Sequence, residues 1–158
     1  ALSKIELDPV VTVLRDYHAD NLMWLPNRHG TAAVGLLDFQ DALAGSAAYD
    51  IVSLLEDARR DVSINLSEKM IRRYINASSI DASSFRNAYS VLGAQRNSKI
   101  IGIFTRLWKR DGKAPYLALI PRVWRYLERN LEQPVLAPVQ DWFDQYLPEY
   151  LRREPQAS

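Results

Sequence analysis

Apolar residues fall into two regimes along the chain. In the first forty residues they form short runs separated by polar clusters. Val10-Val11-Thr12-Val13-Leu14 is β-branched and predicts a buried strand. Leu22-Met23-Trp24-Leu25 predicts a second, and Ala33-Val34-Gly35-Leu36-Leu37 a third, with the Pro26–Gly30 segment as a turn between them. Residues 1–9 read as a connector ending at Pro9. Ala42 to Ala48 is small and Gly-containing, which predicts a loop. From Asp50 onward the spacing changes to three and four. Ile51, Val52, Leu54, Leu55 and Ala58 predict a helix to about Arg60, with Asp50 suited to the positive end of its dipole. Ser67 is a candidate cap for a helix running to Ile75. Asp81 to Arg110 holds no proline and repeats Phe85, Tyr89, Leu92, Ile100, Phe104 and Leu107 at helical spacing, so it predicts one long helix or two with a bend near Gly93. Leu117 to Leu131 and Val139 to Tyr146 predict further helices, Pro121 either lying near the first turn or kinking the helix. Residues 151–158 read as a tail.

This order, a β unit over 1–41 and a helical part over 42–150, predicts a single α+β domain, mostly helical. At 158 residues the chain can bury a real core. Net charge is +1, so no overall field recruits nucleic acid or an acidic membrane. Cysteine is absent, which removes disulfides, thiolate catalysis and Cys-bound zinc, and suits a cytoplasmic setting. No apolar run approaches the ~20 residues that span a bilayer, so no membrane partner is expected.

Polar chemistry concentrates where the first and third strands stop. Asp16 and Asn21 lie five apart on a loop after a strand, and Asp38 ends another strand. A carboxylate, a carboxamide oxygen and phosphate oxygens suit magnesium, which keeps several waters and prefers oxygen ligands. A carboxylate left free of metal can deprotonate a substrate hydroxyl, and phosphoryl transfer asks for little beyond positioning, charge neutralisation and a base. The same residues also fit a metal-dependent hydrolase or plain solvated loops. His18 taken singly reads as structural, His29 as surface, and Asp50 as a cap or loop brace. Asp41 fits a metal or substrate contact as well as a solvated loop acid. On the long helix, Lys99, Arg106 and Arg110 share one face with Arg96 at its edge. That face is either solvated or a positive wall of a substrate pocket. A basic wall disfavours a polycationic acceptor and suits a neutral or carboxylate-bearing one. Trp108, Trp124, Trp142 and Tyr116 fit either core or sugar stacking.

Arg15-Asp16, four residues, then Asn21 resembles the kinase catalytic loop His-Arg-Asp-x-x-x-x-Asn, and Asp38-Phe39 stands where Asp-Phe-Gly would follow. Asp16-Tyr17-His18-Ala19-Asp20-Asn21 is closer to the aminoglycoside phosphotransferase and choline kinase superfamily, with its His-Gly-Asp-Leu-His-Pro-Gly-Asn and later Ile-Asp-Phe-Glu/Gln-Asp. Leu36 to Leu55, Ala94-Gln95-Arg96-Asn97 and Ala118-Leu119-Ile120-Pro121-Arg122 are similar to its bacterial branch that phosphorylates cell-wall amino sugars at the anomeric hydroxyl.

The resemblance implies a protein kinase-like C-terminal lobe. It implies Asp16 as base, Asn21 and Asp38 as magnesium ligands, and Arg15, His18 and Asp50 as loop support, with ATP as co-substrate and a small-molecule acceptor. Asp41, Arg96, Lys99 and Arg106 are the candidate substrate contacts. Leu14 departs from the family's usual His, and Gln40 stands in place of Gly. The N-terminal lobe with its glycine-containing loop, lysine and glutamate has no counterpart in the fifteen residues before Asp16. The chain is therefore expected to be part of a longer kinase, inactive alone. A second reading is a non-catalytic binding module whose uncovered lobe interface could drive self-association.

Overall fold

The computed structural model describes residues 10–152. The expected connector over 1–9 and the tail beyond 152 lie outside the described residues. The fold is mostly helical with two small sheets. Strand β1 (Val10–Val13) pairs antiparallel with β4 (Leu43–Ser46), in register Val10↔Ser46 to Val13↔Leu43. Strands β2 (Leu22–Trp24) and β3 (Val34–Leu36) form a separate antiparallel pair.

The loop expected over 42–48 is thus a strand. Its small residues follow from close packing, since a Cβ at Gly45 would lie 3.1 Å from Val13 Cγ2. Alternation of apolar and polar residues cannot flag a strand written Leu-Ala-Gly-Ser. The pairing that creates it spans more than thirty residues of sequence.

Helix α1 (Ala48–Leu55) starts two residues before Asp50 and stops at Glu56, short of the expected Arg60. Helix α2 (Ile64–Ser78) is capped by Ser63, whose hydroxyl accepts the Leu66 N–H at 3.3 Å. The expected cap, Ser67, is instead buried one turn inside the helix. Helix α3 (Ala82–Asp111) is a single 30-residue helix. Asp81 opens it by accepting the Ser84 N–H at 2.8 Å, and Gly112 closes it at φ +65°, where a side chain would be strained. A short 3₁₀ segment, Ala114–Leu119, leads into α4 (Ile120–Leu131), with Pro121 in its first turn. Helix α5 (Ala137–Tyr146) follows.

Two apolar clusters carry the helical part. Val52, Leu55, Ile71, Ile75 and Phe85 join α1, α2 and the start of α3. Phe104, Val123, Trp124, Leu127 and Phe143 join the rest of α3 to α4 and α5. Trp124 is therefore a core residue, meeting the edge of Phe143, and half-buried Tyr116 packs against the same cluster 5.0 Å from Phe104. The start of the expected tail is held at Arg152, which donates to Glu128 and Asp144 and lies over Trp124.

Where α1, α3 and α4 meet, a buried polar junction forms. Fully buried Glu56 accepts Asn97 Nδ2 at 2.7 Å through one carboxylate oxygen and Asn130 Nδ2 at 3.0 Å through the other. Asn97 Nδ2 also donates to Asn130 Oδ1 at 2.9 Å. Burial pushes the Glu56 pKa up, opposed by the Asn130 and Asn97 donors and the Arg129 charge. Gly93 belongs to this junction, because a Cβ there would sit 2.7 Å from the Asn130 amide atoms.

Two expectations follow. Gly93→Ala should lose about 1–3 kcal/mol, because Asn130 cannot move aside without breaking its bonds to Glu56 and Asn97. Gly102→Ala, with open space around it in the same helix, should gain about 0.5–1 kcal/mol. Denaturant unfolding of both variants checks the opposite signs. The raised Glu56 pKa means the folded state holds that proton more tightly than the unfolded chain. Relative to Glu56→Gln, the parent should lose stability as pH climbs from the usual glutamate range through the raised value, and run parallel to it above. Unfolding curves across that pH window test this.

Candidate active site

The site begins where β1 runs out. The Leu14 and Arg15 N–H groups donate to the two oxygens of Asp50, at 2.7 Å and 3.1 Å. Arg15 takes φ +70°, a left-handed conformation that costs a non-glycine residue about 1–3 kcal/mol unless its surroundings hold it. Ser53 Oγ completes the hold by donating to the Arg15 carbonyl at 3.3 Å. Asp50 and Ser53 both sit on α1, so the loop is mounted on the first helix. Burial pushes the Asp50 pKa up. The two N–H groups pull it down, and the neighbouring Asp16 charge adds to the rise.

Beyond this turn the chain folds on itself. The His18 N–H reaches the Asp16 carbonyl at 3.1 Å, and the Asn21 N–H reaches the His18 carbonyl at 2.9 Å. Residues Ala19–Asn21 form a 3₁₀ turn that leads directly into β2. Asn21 Nδ2 donates to the Asp16 carbonyl at 2.9 Å and lies 3.4 Å from His18 Nε2. With Nδ2 committed to the loop, the carboxamide oxygen Oδ1 is the face left for another partner. His18 therefore lies against Asn21, with its Nδ1 buried and unpartnered among the described residues.

The Leu37 N–H donates to the Asn21 carbonyl at 2.9 Å. That bond ties the end of β3 to the loop, one residue ahead of Asp38. Asp38 also has a left-handed backbone, φ +56°, and Gln40 Nε2 donates to its Oδ1. Asp16 and Asp38 are both exposed, so their carboxylates face solvent rather than the core. The donor set of Asn21 Oδ1 and the Asp38 carboxylate is all oxygen, which fits magnesium with its remaining positions filled by water or phosphate.

The other predicted positions divide. Arg96 is turned toward α1, where its guanidinium reaches the Glu56 carbonyl at 3.4 Å. Burial lowers its pKa, offset by the charges of Tyr49, Glu56, Asp57 and Asp16, which set it in the same field as the loop. Lys99 and Arg106 point to solvent, and Arg110 pairs with adjacent Asp111. Asp41 is exposed in the turn after Gln40. An apolar recess of about 240 Å³ beside the loop is lined by Val13, Arg15, Leu43, Ser46, Tyr49 and Leu92.

Sequence reasoning passes over the contacts made at Asp20. Its carboxylate takes Arg60 Nη2 at 2.8 Å and lies 3.9 Å from Arg59 Nε. The Arg60 hydrogen bond holds the Asp20 pKa below the usual carboxylate range. The adjacent arginines after Glu56-Asp57 are visible in the sequence, but nothing in a forty-residue separation links them to the loop.

Residues 3–86 match the phosphotransferase enzyme family. The chain is 47% identical over 152 residues to an N-acetylmuramate/N-acetylglucosamine kinase of Caulobacter vibrioides, covering 96% of this chain and 42% of that protein. It is 39% identical over 142 residues to the protein of the same name in Pseudomonas aeruginosa, covering 82% of this chain and 39% of the relative. The Neisseria meningitidis protein of that name is 39% identical over 128 residues, covering 77% and 37%. The chain thus spans about two fifths of the length of these curated relatives. With the family match extending over more than half of its residues, the chain belongs to the phosphotransferase enzyme family.

Proposed function

We propose that this chain is the C-terminal lobe of an ATP- and magnesium-dependent kinase that phosphorylates a hydroxyl of an N-acyl amino sugar. The observation that carries the reading is the Leu37 N–H to Asn21 carbonyl bond together with the Asn21 Nδ2 to Asp16 carbonyl bond. These two contacts tie the 16–21 loop to the end of β3, one residue ahead of Asp38, which supports a shared site.

In this reading Asp16 orients the acceptor hydroxyl and takes its proton as the oxygen attacks the γ-phosphorus of ATP, the bond from the γ-phosphorus to the β–γ bridging oxygen breaking and ADP leaving. Its exposure leaves it accessible to an acceptor. Asn21 Oδ1 and Asp38 hold magnesium, which when bound neutralises charge on the phosphate oxygens. Asp50 keeps Arg15 in its left-handed turn, which sets the direction in which Asp16 leaves the backbone. His18 steadies the Asn21 carboxamide. Arg96, half-buried in the field of Asp16 and making one hydrogen bond among the described residues, suits an anionic or hydroxyl-rich acceptor. The apolar recess next to Arg15 and Tyr49 suits an acyl substituent.

The nucleotide clamp belongs, in this proposal, to sequence outside these 158 residues. Two observations support it. The relatives are more than twice as long as their aligned part. The small sheets also carry exposed apolar side chains, with Trp24 70% exposed and Phe39 57% exposed, alongside Met23, Leu37 and Leu43. A second lobe seated there would cover them. Left uncovered, the same face favours self-association, the outcome expected if the chain acts as a non-catalytic module. Among the described residues no helix is long and apolar enough to cross a membrane.

The reading is tested in a chain of the relatives' full length that carries this sequence. Asp16→Asn should lower turnover on N-acetylmuramate or N-acetylglucosamine by ~10²–10⁴-fold, and unchanged turnover would refute the base. Asn21→Ala and Asp38→Ala should raise the magnesium concentration giving half-maximal rate, with the acceptor KM less affected. The 158 residues on their own should give no measurable ATP-dependent phosphorylation. Robust activity from them would show that a complete nucleotide site exists within this length.

A further inference from the structure

We infer that the turn over residues 56–61 is a positioning arm for the 16–21 loop, acting through the Arg60–Asp20 ion pair. The inference rests on the phosphoryl-transfer reading of Asp16, Asn21 and Asp38.

The turn is tied to the helical core along its length. The Glu56 side chain takes donors from Asn97 on α3 and Asn130 on α4, and its carbonyl accepts from Arg96. Asp57, 2% exposed, accepts the Arg59 N–H at 3.0 Å and closes the turn on itself. The Ala58 carbonyl accepts Arg122 Nη1 at 2.7 Å. The Arg60 carbonyl accepts the Tyr126 hydroxyl at 3.1 Å. Asp61 takes Arg122 through both oxygens at 2.8 Å each. Contacts this dense make the turn a fixed extension of α3 and α4.

Its outward side chains then reach the loop. Arg60 Nη2 meets Asp20 at 2.8 Å, with Arg59 Nε 3.9 Å from the other oxygen. Asp20 directly precedes Asn21 and follows Asp16 by four residues. The loop is consequently tied to the helical part at both of its ends. Asp50 fixes its start at Leu14 and Arg15, and Arg60 fixes its end beside the carboxamide assigned to the metal. The pair is largely exposed, so it contributes little to global stability. Its effect falls on the loop, where small displacements of reacting groups are costly to rate.

The test uses the full-length chain and its phosphotransferase activity on an N-acyl amino sugar. Arg60→Ala and Asp20→Asn should each lower kcat roughly 3- to 10-fold and raise the magnesium requirement. The acceptor KM should stay within about twofold and the melting temperature within about 2 °C. The double variant should be no worse than either single one. Arg60→Lys should recover most of the rate, since it restores the charge.

Several results overturn the arm. An unchanged kcat in both single variants does so. A raised acceptor KM with intact kcat would make Arg60 an acceptor-binding residue instead. A large fall in melting temperature in both would make the pair a structural tie. Asp16→Asn run in parallel separates the two levels. If it keeps full activity, the phosphoryl-transfer reading fails and the arm fails with it. If it is inactive while both Asp20 and Arg60 variants are silent, only the arm fails.

Discussion

One carboxylate, Asp50, determines whether the 16–21 loop can exist in its observed form. It accepts two consecutive backbone N–H groups, from Leu14 and Arg15, at the point where β1 ends. Arg15 must then adopt a left-handed conformation that a non-glycine residue avoids when free. The strain is affordable because Asp50 lies in the first turn of α1, a helix whose Ala48, Val52 and Leu55 are buried in the core. Loop, helix and core are thus connected by one acceptor, and the burial that raises its pKa is a consequence of that position.

The helical part has its own counterpart in Glu56. Two apolar clusters on α3 leave a polar junction where α1, α3 and α4 meet. A buried carboxylate there is tolerable only with donors on both oxygens. Asn97 and Asn130 supply them, and Gly93 exists to let Asn130 approach. The same junction anchors the turn that bears Arg59 and Arg60. Packing in the helices is therefore transmitted to the loop along a short, continuous route through residues 56–61.

Much of the fold is legible from spacing. The helical character of 82–111 and its start after Asp81 follow from periodicity that is local in sequence, whereas one helix rather than two bent near Gly93 is decided by the structure. The helix expected from Leu117 begins instead at Ile120, which is what places Pro121 in its first turn. The three early strands follow from β-branched and apolar runs. The strand Leu43–Ser46 does not, because its residues have weak strand preference and it owes its conformation to β1. The cap at Ser63 is passed over for Ser67, since both serines are plausible by composition and only backbone conformation separates them. At the site, the Asp16–Asn21 spacing and the strand ahead of Asp38 identify candidates. The long-range pair between Asp20 and Arg60 leaves no local mark.

The sequence by itself determined which side chains were chemically available. It set a carboxylate and a carboxamide five residues apart, a second acidic residue at a strand end, and helices long enough to support them. Tertiary structure decided what those side chains meet. It turned Arg96 toward Glu56 while leaving Lys99 and Arg106 in solvent. It put Trp124 in the core with Tyr116 packed against it, and it joined Asn21 to Leu37 across a hairpin. The physical reason is the range of the forces involved. Helix and strand preferences act over a few residues and can be read along the chain. Hydrogen bonds and ion pairs between residues far apart in sequence, such as Glu56 and Asn130, form only after the core has brought their partners within about 3 Å.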